Sequence, residues 1–156
     1  MDRSTVGAIQ QLENLHAKAK ADPVKTDLEL QAQIARFLCV LASGVIEQVL
    51  VRGLERLVAR RAIPSVANYA GSHLSRISNA KFSDILRTLG RFDPKWRDHF
   101  EQSTDEEIKA AVDSVVNNRN QVSHGRQVGI SLVRFDEYYG SLKPFLMELD
   151  AFIDGQ

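Results

Sequence analysis

The sequence predicts an all-α fold: a helical bundle with one long central helix and several short helices beside it. Three observations carry this. Glycine and proline are sparse, nine and four in 156 residues, so few positions break a helix. Apolar residues recur at three- and four-residue spacing through most of the chain, the period of a helix with one buried face. Clear stop signals, "ADPV", Pro64 and Gly125, cut the pattern into segments of helical length.

The first segment is predicted as a helix over about 4–20, with Val6, Ile9, Leu12, Leu15 and Ala19 on one face. After "ADPV" the long helix is predicted from about Thr26 to Ala62. Its apolar residues, among them Leu30, Ile34, Phe37, Leu38, Leu41, Val45, Val49, Leu50, Leu54 and Leu57, spread over more than one side. That suits a central helix covered from several directions. Gly44 and Gly53 allow close contact or a bend. Two or three short helices are expected after Pro64, near 66–77, 82–89 and 94–100, the last opened by Pro94 near its first position. "STDEEIKAAVDSVVNNRNQVSHG" is the clearest helix, about 30 Å long at the helical rise per residue. Ser103 with Glu106, or Thr104 with Glu107, has capping-box spacing, and Gly125 suits the left-handed position past its end. "QVGISLV" reads as a short extended piece. The last helix is predicted over about 135–152, with Pro144 as a point of bending or division.

The chain reads as a single domain over 1–156. Its 44% hydrophobic and 26% charged composition belongs to a globular protein, not a disordered one. Twenty basic and twenty acidic side chains give a formal net charge of zero. No global field holds nucleic acid, so a nucleic-acid site has to be a local patch. The one cysteine, Cys39 in "FLCVLA", permits no intrachain disulfide and reads as a buried small hydrophobe. No signal-peptide pattern and no membrane-length apolar stretch is expected, which makes a cytoplasmic, membrane-free protein the expectation.

On the capped helix the inward stripe runs Ile108, Val112, Val115, then Arg119, then Val122. Arg119 thus takes a position where the pattern asks for an apolar side chain. An unpartnered buried guanidinium is costly, so an acid, a polar pocket or a second chain should face it. Asn120 and His124 share the adjoining face. On a continuous helix Arg119 and His124 diverge by about 140°, but termination at Gly125 can turn the imidazole toward the arginine. Arginine binds phosphate through a planar fork, and histidine exchanges a proton near neutral pH. Together they suit RNA cleavage by attack of its own 2′-hydroxyl, histidine moving the proton and arginine stabilising phosphorane charge. This chemistry calls for no metal and no cofactor. No CxxC, HExxH, P-loop or GxGxxG pattern is present.

Arg119, Asn120, a short spacer and His124 at the end of a late helix resemble the motif of the HEPN superfamily. The long central helix, "RISNAKFSDILRTLGRF", "RNQVSHG" and "FDEYYGSLKPFLMELDAF" are most similar to the RiboL-PSP type, over roughly residues 28–153. The resemblance implies a HEPN-type bundle that dimerises with its two motifs facing each other. It also implies metal-independent endoribonuclease activity, often in toxin–antitoxin or anti-phage systems. Arg119 and His124 would be the catalytic pair and Asn120 a residue that orients histidine or phosphate. A homodimer would bring two histidines to one cleft, one as base and one as acid. Expected partners are therefore an RNA substrate, a second copy, and an antitoxin or defence-system protein. The alternative is a non-catalytic HEPN module that binds RNA or a protein.

Glu47 on the long helix is the candidate supporting residue, set to pair with Arg119 or to hold His124. An exposed acid, or an ion pair with Arg36 or Arg52, is the plain alternative. Ser123 and Arg126 are candidate RNA contacts; a hydroxyl bonded back to the helix and a solvated loop charge are the alternatives. Arg52, Arg56 and Arg60 form either a basic ridge for phosphates or a solvated face. His16, His73 and His99 read as surface residues, and at least one of Tyr138 and Tyr139 as core.

Overall fold

The computed structural model describes residues 1–21, 27–126 and 129–156. Among them are seven helices and no strand: α1 (Arg3–Ala19), α2 (Leu28–Arg61), α3 (Pro64–Leu74), α4 (Phe82–Phe92), α5 (Pro94–Ser103), α6 (Glu106–Ser123) and α7 (Leu132–Asp154). The chain is all-α, as its periodicity predicts. The expected start of the long helix at Thr26 lies outside the described residues. Gln127 and Val128 of the expected extended piece do too. The rest of that piece is not extended throughout: Ser131 accepts from the Arg134 N–H at 3.1 Å and caps α7, so Leu132 and Val133 are helical. α7 runs unbroken through Pro144.

α2 is the hub, packed by α1, α3, α6 and α7, while α6 also packs on α7 and α4 on α5. Ala35, Leu38, Ala42, Ile46, Val49, Leu50 and Leu54 are fully buried along it. By length and composition α2 could cross a membrane, with a mean hydropathy of 1.9 over its most apolar stretch. This corrects the expectation that no such stretch exists. Here the hydropathy comes from being a core helix with apolar residues on several sides. Gly53 serves a close approach: a Cβ there would meet Ile153 Cδ1 at 3.2 Å. Phe100 of α5, fully buried, meets Phe145 and Phe152 of α7 with ring centroids 6.1 and 5.0 Å apart, anchoring α5 to the bundle. Cys39 is fully buried, and burial pushes its thiol up to about 12. Tyr139 is core and Tyr138 partly buried.

The arginine run does not make a free basic ridge. Arg56 binds Asp150 at 2.7 Å and Asp154 at 3.1 Å, Arg60 lies 3.6 Å from Asp154, and Arg52 pairs with Glu55 at 2.8 Å. The first two tie α2 to α7. Their acids lie on the far helix, where no local pattern reveals them. His16 is likewise not a free surface residue: it pairs with Asp136 and lies edge-on to Phe135 and Tyr139.

These pairs set an acid dependence. Burial pushes the Asp154 carboxyl up, but the hydrogen bond and charge of Arg56 outweigh it and hold it below the usual range. A hydrogen bond from Lys143 does the same for Glu13, against its burial. A depressed folded-state pKa stabilises above the unfolded value, about 3.9 for Asp and 4.3 for Glu, and that stability is lost as pH falls through the folded value. Urea stability should therefore fall on acidification below about pH 4, and Arg56→Met should flatten that limb while lowering stability at neutral pH. An Arg56→Met acid limb as steep as wild type would contradict the assignment.

Candidate functional site

α6 begins at Glu106, with Asp105 as the residue before it and no side-chain cap; Ser103 instead closes α5. The expected capping boxes are therefore not formed. Glu106 and Glu107 still lie in the first turn, where the helix dipole favours them. Val112 and Val115 are fully buried, and Ala111 and Val116 join them. The helix ends as expected. Gly125 has φ +68°; its N–H donates to Val122 O at 3.0 Å, and the Arg126 N–H donates to Gln121 O at 3.0 Å. This pair of bonds is a Schellman closure, and a left-handed residue at that position is what glycine supplies at little cost.

Arg119 is half-buried and has the polar partner its position demands. Its Nη1 donates to Asn79 Oδ1 at 2.5 Å and to Asn120 Oδ1 at 3.1 Å. Asn79 lies in the turn between α3 and α4 with φ +55°, and among the described residues it is the only non-glycine with positive φ. Asparagine tolerates that region better than most residues. Its backbone N–H donates to Glu47 Oε1 at 2.6 Å, and its carbonyl accepts from the Lys81 N–H at 2.8 Å. Three residues after Asn79, the Phe82 N–H donates to Asp113 of α6 at 2.8 Å. The 79–82 segment is thus tied to α2 through Glu47 and to α6 through Arg119 and Asp113.

The expected direct contact of Glu47 with Arg119 or His124 is not made among the described residues: the Glu47 carboxylate holds the Asn79 backbone, and Arg52 is taken by Glu55. Asn79 then presents its side-chain oxygen to the guanidinium. Sequence reasoning missed Asn79. The available signal was an asparagine within a short inter-helix stretch, "RISNAKF", a residue type that favours left-handed turns.

The structure brings Glu47, Asn79, Arg119 and Asn120 into one hydrogen-bonded chain. It does not bring in His124, Ser123 or Arg126, all exposed. His124 is the last residue of the helix end, with its backbone N–H bonded to Asn120 O at 3.1 Å. Among the described residues its imidazole has no hydrogen-bond or ion-pair partner, and the Ser123 hydroxyl makes no bond back to the helix. Arg119 uses one of its three nitrogens, and among the described residues Nε and Nη2 have no protein acceptor. The site therefore offers an anchored guanidinium with donors to spare and an exposed imidazole five residues further on, at the helix end. Such a pair can bind a phosphate and exchange a proton beside it. Among the described residues no group of three or more His, Cys, Asp and Glu is placed to hold a metal ion.

No curated protein and no solved structure matches the chain. The family RiboL-PSP-HEPN matches it over residues 6–155, which takes in α1 as well as the expected core. The chain belongs to that family and is a HEPN-type domain, of a superfamily that includes ribonucleases.

Proposed function

We propose that this protein is a metal-independent endoribonuclease. It cleaves RNA by attack of the 2′-hydroxyl on the adjacent phosphate, at a composite site formed by two copies of the chain. The observation that carries the reading is the state of Arg119: fixed through Nη1 by Asn79 and Asn120, with no acceptor for Nε and Nη2 among the described residues. A guanidinium held this way is pre-organised for the two-point grip on a phosphate and for the charge that grows on it in the transition state. His124, exposed at the helix end, supplies or removes the proton. One histidine per chain serves one proton transfer, so a twofold partner supplies the second. α3 leads into the Asn79 turn and leaves Ile63, Val66 and Tyr69 exposed at 66%, 50% and 67%, apolar area that suits a second chain. A cytoplasmic toxin or anti-phage effector, held by an antitoxin or other defence partner, is the biological role this reading fits.

The second reading is a non-catalytic module that binds RNA or a protein. It is favoured by the His124 imidazole, whose tautomer no neighbour among the described residues fixes. The deciding experiment is incubation of single-stranded RNA with the purified protein in excess EDTA. Fragments ending in a 2′,3′-cyclic phosphate are expected. RNA retention without cleavage across concentrations that support self-association would establish the second reading instead.

A further inference from the structure

The far side of Glu47 opens on a hollow of about 320 Å³ between the middle of α2 and the end of α3 with the turn that follows. Gly44, Glu47, Gln48 and Val51 line it from α2, and Leu74 and Ile77 face them. Three of its features have no explanation inside the folded chain. Glycine weakens a helix interior, yet a Cβ on Gly44 would meet nothing within 4 Å, unlike one on Gly53. Gln48 Oε1 is shut from solvent with no hydrogen-bond partner, a costly state for a polar atom. The Glu47 carboxylate gives Oε1 to Asn79, and among the described residues Oε2 has no partner.

The lining specifies an occupant. Val51, Leu74 and Ile77 make apolar walls. Of its polar side chains, Arg52 and Glu55 neutralise each other at 2.8 Å and Ser75 Oγ donates to Ser72 O, which leaves the Glu47 carboxylate as the acceptor on offer. Carboxylates repel a second phosphate and welcome N–H donors. A flat ring with apolar faces and a row of N–H groups on one edge is a nucleobase. Glu47 links the hollow to Arg119, the proposed phosphate-binding group, through Asn79 in two hydrogen bonds of 2.6 and 2.5 Å.

We propose that this hollow takes the base next to the phosphate held by Arg119, and that it selects guanine. Guanine sets N1–H beside its amino group, matching the two oxygens of one carboxylate, each of which accepts more than one hydrogen bond. The Gln48 amide can turn to meet a further donor entering the hollow. Uracil, with no exocyclic amine, is the poorest fit. The assignment rests on the RNA-cleaving reading of Arg119 and His124 and names the sequence preference of that same site.

The test separates the two. Isotope-labelled His124→Ala protein is titrated with GMP, AMP, CMP and UMP, and amide shifts are followed by NMR. GMP is expected to shift Gly44, Val51 and Ile77 and to bind at least about fivefold tighter than UMP, the lower end of a bidentate base contact. Gly44→Leu fills the hollow from a position with open space in front of it, with Gly44→Ala as the folding control. In an otherwise native chain it should lose GMP binding and the preference for cleavage beside guanosine while still cutting RNA. GMP shifts in a protein that never cleaves RNA would support the hollow and defeat only the nuclease reading. Absent shifts, equal binding of all four nucleotides, or unchanged GMP binding by Gly44→Leu would overturn the guanine site. So would a change of mass in solution as the sole effect of Gly44→Leu, which would assign the hollow to chain–chain contact.

Discussion

Arg119→Ala and His124→Ala should each lower RNA cleavage by about 10²–10⁴-fold, the span of a lost proton-transfer group or a lost donor to transition-state charge. The two variants differ in what else they disturb. His124 is exposed and its imidazole has no partner among the described residues, so His124→Ala should leave stability within about 0.5 kcal/mol of wild type. Arg119 is half-buried and satisfies Asn79 Oδ1; removing it leaves that acceptor short and is expected to cost about 1–3 kcal/mol. Arg119→Lys controls for this, keeping the charge but not the planar fork. It should retain more stability than Arg119→Ala yet recover little of the cleavage. The double variant should be scarcely slower than the worse single one, because groups that act in one transition state do not contribute additively. On expression in a bacterial host, wild type should slow growth and His124→Ala should relieve it. Folded single variants that cut RNA at wild-type rates would remove both residues from the chemistry.

How much of this was visible beforehand divides along the range of the interactions. Features set by neighbours in the chain are where the sequence puts them. Val112, Val115 and Arg119 occupy one stripe because helical period places them there, and Gly125 has positive φ because the Schellman closure needs it. Competing local signals were harder to rank. Ser103, Thr104 and Asp105 can each start a helix, and the choice fell to Asp105 because α5 extends through Ser103. Pairings between distant segments left no local trace. Arg56 looks like one step of a basic ridge until α7 brings Asp150 and Asp154 against it. Glu47 shares its face of the long helix with Val40, Ser43, Gly44, Leu50, Val51 and Leu54, poor company for a solvated acid. Its partner was not legible, because that partner is the backbone of Asn79, and a backbone N–H carries no sequence signature.

Asn79 carries the second large expectation, since it is the hydrogen-bonded bridge from Glu47 of α2 to Arg119. Two roles are combined in it: a left-handed backbone that turns the chain toward α4, and a side-chain oxygen that holds the guanidinium. Substitutions can part them. Asn79→Gly keeps the backbone conformation without strain and deletes the oxygen. If Asn79 positions Arg119, cleavage should fall by up to about 10²-fold, the penalty for a reacting group displaced by about 1 Å, with little change in thermal stability. Asn79→Ala deletes the same oxygen and adds about 1–2 kcal/mol of left-handed strain, so it should match the glycine variant in activity but melt lower. Asn79→Asp keeps an acceptor and adds a charge that competes with phosphate for Arg119; its KM should rise more than its kcat falls. Glu47→Gln still accepts from the Asn79 N–H and should remain within a few-fold of wild type on RNA without guanosine beside the cleaved phosphate, whereas Glu47→Ala should resemble Asn79→Gly. A merely structural turn predicts the reverse order: the strained alanine variant impaired, the glycine variant active. Full activity in Asn79→Gly would therefore break the link from Glu47 to Arg119, however well the hydrogen bonds align.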